Sequence, residues 1–330
     1  MILSNDTISF EVMKPPYEIT NRILELIASI SELLGEIKAA RLNKPPTELR
    51  KRNRIKTIQS SLEIEGNTLS IEQVTDLINN RRVLAPKKDI LEVKNAIQVY
   101  SKLDSFNAYE LNSLLRAHKL LMNGLIEFPG QFRKTAVGIV KGKDLTHIAP
   151  KDEMIYSLIK DLFDYLQNDT DLPLIKSCVF HYEFEFIHPF LDGNGRLGRL
   201  WQTLILKDYS KVFEFLPIEI LVKERQNDYY YVLGKADSQG SSTSFIEFML
   251  EIINTSLDDL LNVQNFTVTD SDRISLFKDF IDDKEFSRQE YLRFNKDISP
   301  ATASRDLKNA VDRGILTKSG DKRLTKYRFQ

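Results

Sequence analysis

The sequence has little of several features that would indicate a specialised class of protein. It contains one cysteine, Cys178, among 330 residues, so neither a disulfide framework nor a cysteine-based metal cluster is expected, and a reducing compartment fits best. No apolar run reaches the ~18 residues of a membrane-spanning helix, and the amino terminus lacks the basic start and apolar stretch of a signal peptide. Its 46 Lys and Arg against 47 Asp and Glu argue against a chain devoted wholly to nucleic acid. We therefore expect a cytoplasmic protein with no membrane segment.

The residues that are present favour a globular protein built mainly of helices. Hydrophobic residues make up 42% of the chain, enough to bury a sizeable core over the roughly two to three domains that the length suggests. Between Ile19 and Ile37 the apolar residues recur at spacings of three and four, which is typical of one buried helix face. Thr47 can cap a second helix that ends at Gly66-Asn67, and Ser70 begins the capping-box pattern of a third. Two more helices are predicted over Leu91–Leu103 and Tyr109–Met122.

The pattern changes twice in the rest of the chain. Short β-prone runs over 137–140 and 145–148 flank a turn that contains Gly142 and predict a small hairpin. Helices resume near Lys151 and continue to about Asn262. The polar stretch Asn265–Asp272 lacks a helical period, so we predict a linker there.

The last sixty or so residues predict a separate module. An apolar stripe from Ile274 to Ile281 indicates one helix, Phe286–Glu290 opens a second, and Ser299-Pro300 starts a third that ends at Gly314. Two β-prone runs follow, and three helices with a hairpin describe a winged helix-turn-helix. We therefore predict a mainly α protein with an N-terminal helical region over 1–105, a helical core over 106–264 and the winged helix-turn-helix over 265–330.

The residues suited to chemistry concentrate in one segment, HPFLDGNGRLGR, which runs from His188 to Arg199. Apolar stretches on both sides look helical, so Gly193-Asn194-Gly195 is expected in a loop that opens a helix. Exposed backbone N–H groups and the positive end of the helix dipole make such a place an anion site. Arg196 and Arg199 are three residues apart on one helix face and can meet the same polyphosphate.

Two further residues of the segment suit phosphate chemistry. Asp192 offers a hard oxygen ligand for Mg²⁺, and His188 enters the loop from the other side and can act as a general base near neutral pH. Each residue alone has an ordinary structural explanation, because a loop histidine or a Gly-Asn-Gly turn more often serves packing than catalysis. Their conjunction within twelve residues indicates a metal-assisted phosphoryl or nucleotidyl transferase.

This segment resembles the signature of Fic-domain proteins, HPFx[D/E]GNGRxxR, at every fixed position. The resemblance implies a Fic-type helical bundle core and transfer of AMP from ATP to a Ser, Thr or Tyr hydroxyl of a protein. It implies that His188 deprotonates that hydroxyl and that Asp192 holds Mg²⁺ on the α- and β-phosphates. The nucleotide-binding residues that it implies within the segment are Gly193, Asn194, Gly195, Arg196, Leu197, Gly198 and Arg199. Another donor, for transfer of UMP, phosphate or phosphocholine, is an alternative, because family members differ in this respect.

A second motif lies upstream. Ser61-Leu62-Glu63-Ile64-Glu65-Gly66 resembles the inhibitory motif [S/T]xxxE[G/N] of self-inhibited Fic proteins, and Ser61 and Glu65 share one helix face. The resemblance implies that Glu65 pairs with Arg199 and disturbs the γ-phosphate, which removes a positive partner of ATP and adds a repulsive charge. A surface acid in the last turn of a helix is the plainer explanation of Glu65 alone. In some relatives this glutamate also supports removal of AMP, and inhibition within one chain or through a homodimer are both open.

Other segments are interpreted through the same resemblance. The hairpin over 137–148 matches the family's flap, which pairs with the main chain of the target, and 130–133 and 148–150 resemble its flanks. Tyr230, Tyr231 and Asp237 lie where relatives often line the adenine pocket, although core packing explains adjacent tyrosines equally well. The remaining histidines have no metal-ligand spacing and are expected in core, flap or surface roles: His118, His147 and His181.

The C-terminal module allows two kinds of partner. From Ser304 to the end, eight basic residues outnumber three acidic ones, which fits phosphate contacts with DNA, but winged helices also bind proteins. One hypothesis is a self-inhibited protein adenylyltransferase whose winged helix recruits a target protein or DNA; the chain itself is one candidate target. The other is a DNA-binding transcriptional regulator that uses the Fic fold to sense a nucleotide or to dimerise. His188 and Asp192 favour the first, because sensing alone needs no base beside a phosphate site.

Overall fold

The computed structural model describes residues 14–40, 42, 45–136, 138–141, 144–262, 269–281, 284–296, 298–321 and 325–330. In these residues the chain is mainly helical, as the sequence predicts. The α-helices and strands follow in this order: α1 Asn21–Ala39, α2 Thr47–Ile64, α3 Ile71–Ile78, α4 Lys87–Ser101, α5 Leu111–Leu121, β1 Gly138–Lys141, β2 Asp144–Ile148, α6 Asp152–Asn168, α7 Pro173–Ile187, α8 Asn194–Tyr209, α9 Ile218–Glu224, α10 Gln226–Gln239, α11 Thr243–Asn262, α12 Asp270–Ile281, α13 Arg288–Phe294, α14 Pro300–Asp312, β3 Leu316–Ser319 and β4 Lys326–Phe329.

The chain divides into two compact units. One consists of Met1–Asn43 and Asn53–Asn262, and the other of Lys44–Arg52 and Val263–Gln330. The domain boundaries after residues 105 and 264 stay predictions. Among the described helices, none is long and apolar enough to cross a membrane.

Helices α7 and α8 pack against each other in the middle of the first unit. Eleven of the fifteen residues of α7 are buried, and apolar side chains lie all around it, as expected of a central helix. Trp201 of α8 is fully buried and donates a 2.9 Å hydrogen bond from Nε1 to the carbonyl of Ala108. The loop between α7 and α8 is therefore fixed at both ends by buried helices.

Helices α1 and α3 of the first unit begin with side-chain caps. Helix α1 begins at Asn21 because Thr20 has extended backbone and its side chain accepts a hydrogen bond from the Ile23 amide. The capping box predicted at Ser70 is present, with Gln73 completing it. Helix α4 begins at Lys87, four residues before the predicted Leu91, because its first turn follows Pro86 and carries polar residues outside the apolar pattern.

The predicted hairpin is an antiparallel pair in which Gly138 of β1 lies opposite Ile148 of β2. The register shifts between Ile139 and Val140, which is typical of a β-bulge. Residues 137, 142 and 143, which include the turn glycine, lie outside the described residues.

The second unit contains α12, α13, α14 and the antiparallel pair β3–β4. Its core is formed by Phe277, Phe286, Tyr291 and Leu307, among others. The linker prediction over Asn265–Asp272 is wrong at its end, because α12 already begins at Asp270. Asp272 accepts hydrogen bonds from the amide and hydroxyl of Thr269 and starts the helix; residues 263–268 lie outside the described part. The order of helices and strands is the predicted one, and the winged helix-turn-helix assignment stays a prediction.

Candidate active site

The loop from His188 to Gly193 places two residues in the left-handed backbone region. His188, directly after α7, has φ +48°, and Gly193, directly before α8, has φ +86°. A Cβ on Gly193 would lie 2.6 Å from Sδ of Met122, so glycine is needed there for both backbone and space. The Asn194 side chain closes the loop, since it accepts a hydrogen bond from the Phe190 amide and donates one to the Phe190 carbonyl, at 3.0 and 2.9 Å.

The imidazole of His188 is oriented by the last turn of α7. Its Nδ1 lies 3.4 Å from the carbonyl oxygen of Glu185. Since a carbonyl only accepts hydrogen bonds, this contact favours the tautomer with the proton on Nδ1 and the lone pair on Nε2. His188 is neither fully buried nor exposed, which leaves this ring suited to exchange a proton with a bound molecule.

The N-terminus of α8 follows the loop at once. Gly193 is its N-cap, and none of the described side chains accepts a capping hydrogen bond there. The first N–H groups of α8, on Asn194, Gly195 and Arg196, therefore point from the positive end of a sixteen-residue helix. This geometry is an anion-binding site of the kind that holds phosphates.

Arg196 is buried between two carboxylates. Its Nη1 donates to Glu92 Oε1 at 3.0 Å, and its Nη2 donates to Asp192 Oδ1 at 2.7 Å. The other Glu92 oxygen accepts a 2.8 Å hydrogen bond from Asn67. The side chain of Asp192 is 43% exposed, so this carboxylate can meet both Arg196 and a group that arrives from solvent.

Arg199, one turn further along α8, is buried against the end of α2. Its Nε donates to Ser61 Oγ at 3.1 Å, and its Nη2 donates to the Ser61 carbonyl at 2.9 Å and to Glu65 Oε1 at 2.8 Å. A Cβ on Gly195 would collide with the same Glu65 oxygen. Glu65 therefore lies over the anion site and pairs with Arg199, although 134 residues separate the two.

The turn after α2 presents Glu65 in this position. Helix α2 ends at Ile64, the Glu65 amide donates to the Leu62 carbonyl at 3.1 Å, and Gly66 has φ +88°. Glycine adopts this conformation without a Cβ penalty. Asn67 then donates a hydrogen bond to Glu92, the partner of Arg196. The turn after α2 therefore contacts Arg199 through Glu65 and contacts the partner of Arg196 through Asn67.

Comparison with known proteins decides the family. The profile of the Fic/DOC family matches residues 108–206. A crystal structure of a Fic family protein from Desulfovibrio desulfuricans G20 is 39% identical, covers 96% of this chain and 98% of its own, and superimposes with a TM-score of 0.73. This chain belongs to the Fic family.

More distant relatives are similar to this chain over about two thirds of its length. Protein adenylyltransferase fic-1 of Caenorhabditis elegans is 28% identical over 62% of this chain and 43% of its own length. Protein adenylyltransferase Fic of Nematostella vectensis is 26% identical over 70% of this chain and 54% of its own. The chain thus spans about half the length of the curated relatives that it matches. A structure of C. elegans Fic-1, residues 134–508, shows the same fold at 21% identity and a TM-score of 0.59.

The predicted adenine-pocket residues of this Fic protein lie in different surroundings. Burial raises the pKa of Tyr230, and the nearby charge of Glu65 raises it further. Tyr231 is 70% exposed. Asp237 accepts a 3.0 Å hydrogen bond from the hydroxyl of Tyr182. The neighbouring Tyr229 is buried in the core, as the alternative explanation of the tyrosines has it, and a nucleotide contact of the other three residues stays a prediction.

Two residues of the signature face the interior. Leu197 is fully buried, and a Cβ on Gly198 would lie 3.2 Å from Glu185 Oε1 and 3.3 Å from the His181 ring. Gly198 thus lets α8 approach α7 closely. These positions shape the helix pair that carries the anion site, and their contact with nucleotide stays a prediction.

His118 and His181 are buried, in agreement with their expected core roles. His118 stacks on Phe190 at 3.6 Å between ring centroids, its Nδ1 accepts from the Gly130 amide at 2.8 Å, and its Nε2 therefore donates to the Asp192 carbonyl at 3.0 Å. Burial lowers the pKa of His118 to about 4, so the ring is neutral near pH 7. It supports the loop from beneath without contributing charge.

Glu92 and Arg133 also contact residues of the site, although no motif of the sequence predicts these contacts. Glu92 lies four and seven residues before Ala96 and Val99, on the buried face of α4, and a carboxylate on an apolar stripe was the signal that could have identified it. Arg133 was noticed only as a flank of the flap. It is 3% exposed and bonds main-chain carbonyls, whose positions a sequence does not reveal.

Proposed function

We propose that this Fic protein is a self-inhibited protein adenylyltransferase, which transfers AMP from ATP to a Ser, Thr or Tyr hydroxyl of a protein. The observation that supports this most is the convergence of a histidine, a carboxylate, a helix N-terminus and two arginines on one loop and one helix end. The relatives named protein adenylyltransferase support the same reaction.

The reaction needs positioning and charge stabilisation more than covalent chemistry from the protein. Nε2 of His188 accepts the proton of the target hydroxyl while the hydroxyl oxygen forms a bond to the α-phosphorus. The bond between that phosphorus and the oxygen bridging to the β-phosphorus breaks, and pyrophosphate leaves with the bridging oxygen. The N–H groups at the start of α8, with Arg196 and Arg199, bind phosphate oxygens and stabilise the negative charge of the transition state.

The residues present fit a magnesium ion. Asp192 is a partly exposed carboxylate beside the anion site, and within the described residues no group of three His, Cys, Asp or Glu could form a cage for a metal. Mg²⁺ is commonly bound by one or two carboxylates together with substrate phosphates and water. Asp192 would hold it, and when bound the ion would neutralise charge on the phosphates.

Glu65 is the proposed inhibitor. Its carboxylate pairs with Arg199 and lies over Gly195, where the phosphates of ATP would bind. Occupation of this place removes a positive partner from ATP and adds a like charge next to its phosphates. A carboxylate there can also orient a water for hydrolytic removal of AMP, so de-AMPylation forms part of the proposal.

The test is transfer of label from α-³²P-ATP with Mg²⁺ to protein. Wild type would be compared with Glu65→Gly and with Glu65→Gly combined with His188→Ala. We expect Glu65→Gly to raise the label by at least about tenfold, the factor that ~1.4 kcal/mol of recovered phosphate binding gives. Loss of His188 should abolish it.

Glu63→Gly is the matched control. Glu63 is in the last turn of α2, two residues before Glu65, and pairs with Lys223 at 3.7 Å, so this variant introduces a glycine nearby without opening the anion site. A comparable rise of label in the control would mean that helix loosening, and not the Glu65 charge, relieves inhibition. No label in any variant, while ATP still binds, would favour another donor or a regulator that only senses nucleotide.

A second candidate function concerns the C-terminal unit. Asp306, one of the three acids from Ser304 onward, is buried in an ion pair with Arg273 at 2.7 Å. The described basic residues in this stretch are all exposed, at Arg305, Lys308, Arg313, Lys318, Lys326 and Arg328. Among the described residues from Ser304 onward, six basic side chains are thus exposed against two acidic ones, Asp312 and Asp321, which favours DNA binding, with a target protein as the other partner. Affinity for duplex DNA that falls steeply with salt would support it, and affinity that Arg305→Ala and Lys308→Ala leave unchanged would contradict it.

A further inference from the structure

Arg133 makes an unusual set of hydrogen bonds beside the active site. Its guanidinium donates to the carbonyls of His188 at 2.8 Å, Thr135 at 2.7 Å, Pro150 at 2.6 Å and Ile187 at 3.3 Å. Its own amide donates to the Pro189 carbonyl at 2.9 Å. One buried side chain is therefore bonded to main-chain oxygens from three separate parts of the chain.

Two of these oxygens belong to the end of α7. Ile187 is its last residue and His188 follows in the left-handed region at φ +48°. A residue with a Cβ adopts this conformation at a cost of roughly 1–2 kcal/mol, so it persists only where the surroundings hold it. Arg133 bonds both carbonyls and places a positive charge at the negative end of the helix. It thereby stabilises the backbone from which the imidazole projects.

The other two oxygens lie at the base of the flap. Thr135 precedes β1 by three residues, and Pro150 follows β2 by two. Both ends of the hairpin are therefore tied to one guanidinium, and through it to the carbonyl of His188. The planar fork of arginine suits this arrangement, because its donors point in fixed directions, whereas a lysine ammonium is a single point of charge.

We infer that Arg133 is a positioning residue that keeps His188 and the base of the flap in a fixed relation. This inference rests on the proposed function, in which His188 takes up the hydroxyl proton of the target, and on the expectation from the sequence that the flap pairs with the main chain of the target. Because one guanidinium bonds both the flap base and the backbone of His188, it would set the distance between the flap and the His188 imidazole. A displacement of about 1 Å at such a place can lower a rate on the order of a hundredfold.

The test replaces Arg133 in the full chain that carries Glu65→Gly. We expect Arg133→Ala to lower label transfer to the protein on the order of 10–100-fold, while the affinity for Mg·ATP, measured by calorimetry, stays within about twofold because Arg196, Arg199 and α8 are untouched. Guanidinium ion at millimolar concentration should restore part of the rate, and ammonium at the same ionic strength should not. Arg133→Lys should transfer slowly as well.

Arg116→Ala is the matched control, since Arg116 is exposed on α5 and bonds Ser105 and Ser113. Hydrogen–deuterium exchange gives a readout that needs no turnover. Arg133→Ala should speed exchange in both 134–150 and 185–190, and guanidinium should reverse the change in both segments together. If the Glu65→Gly parent transfers nothing, the proposed function fails and the exchange experiment still decides the inference. Transfer at the parental rate, or faster exchange in one segment alone, would overturn it.

Discussion

The two ends of the site are held by different kinds of contact. Around His188 the chain is fixed by hydrogen bonds to main-chain carbonyls. Arg196 and Arg199 are held by ionised side chains. Arg133 and His118 donate hydrogen bonds to the carbonyls of His188 and Asp192 in the loop. Glu65 and Asp192 are acids that a phosphate can replace as partners of the two arginines. Under the proposed function, the difference would leave the position of His188 independent of the nucleotide, while binding of the nucleotide could be regulated through the acids.

The largest effect should come from the phosphate end. In the Glu65→Gly background, we expect Arg199→Ala to lower the proposed transfer by about a hundredfold or more, the usual cost of losing one donor to a developing charge. The measurement is kcat and KM for ATP. Arg22→Ala, an exposed arginine paired with Glu25 on α1, is the control. Unchanged transfer without Arg199 would mean that Glu65 inhibits by covering the helix end alone.

A smaller effect should follow from the base end. His118→Phe keeps an aromatic ring against Phe190 but leaves the Gly130 amide and the Asp192 carbonyl without this partner, at a cost of about 1–3 kcal/mol for each group that stays buried. We expect a lower melting temperature and about tenfold slower transfer if the loop shifts by a fraction of an ångström. Full activity with lowered stability would show that the loop keeps its geometry without His118.

Two buried histidines, His118 and His181, should make the stability of the fold depend on pH. Burial lowers the pKa of His118 to about 4, and burial with the charge of Arg199 lowers that of His181 to about 3. The unfolded chain takes up these protons near pH 6.5 and the folded chain does not, so stability falls as pH drops below about 6.5. At pH 5 each histidine costs about 2 kcal/mol by linkage. Urea unfolding at pH 7 and pH 5 should show a smaller loss for His118→Phe, and equal losses would contradict the buried neutral ring.

Part of this site could be predicted from sequence because its groups are contiguous. His188, Asp192 and the two arginines lie within twelve residues, and apolar flanks place them between two helices. Glu65 could be connected to Arg199 only through a family motif, since 134 residues separate them and composition carries no such pairing. Arg133 could not be predicted, because its partners are carbonyl oxygens that every residue has. The start of α12 was missed because Thr269 and Asp272 cap a helix inside a stretch that looks polar throughout.

A modest effect is expected from a substitution of Glu92, the buried partner of Arg196. It tests whether Glu92 orients Arg196 or competes with phosphate for it. Glu92→Gln keeps an oxygen for Arg196 and removes the negative charge. If Glu92 competes with phosphate, Mg·ATP should bind more tightly by about three- to tenfold, up to the ~1.4 kcal/mol that a tenfold change represents. Calorimetry measures this, and Lys88→Ala, which removes an exposed neighbour of Glu92 at 3.9 Å, is the control. Weaker binding would show that the charge of Glu92 orients Arg196 for its ligand.

The smallest effect on transfer should come from a buried carboxylate beside α2, the helix that precedes the proposed inhibitor Glu65. Glu219 is buried beside Thr57 of α2, accepts a 3.5 Å hydrogen bond from Tyr100, and burial raises its pKa to about 7. In the unfolded chain it ionises near pH 4.5, so the stability that its protonated form contributes is lost as pH rises from about 4.5 to 7. Glu219→Gln stays neutral and should therefore be more stable than wild type at pH 8, by about 1–3 kcal/mol, and similar to it at pH 4. Thr57 lies one turn before Ser61, which contacts Arg199. If label transfer by the wild-type chain rises from pH 6 to pH 8 and that of Glu219→Gln does not, ionisation of Glu219 affects the phosphate-binding end of the site. Parallel pH profiles of label transfer for the wild-type chain and Glu219→Gln would mean that Glu219 has no part in the inhibition proposed for Glu65.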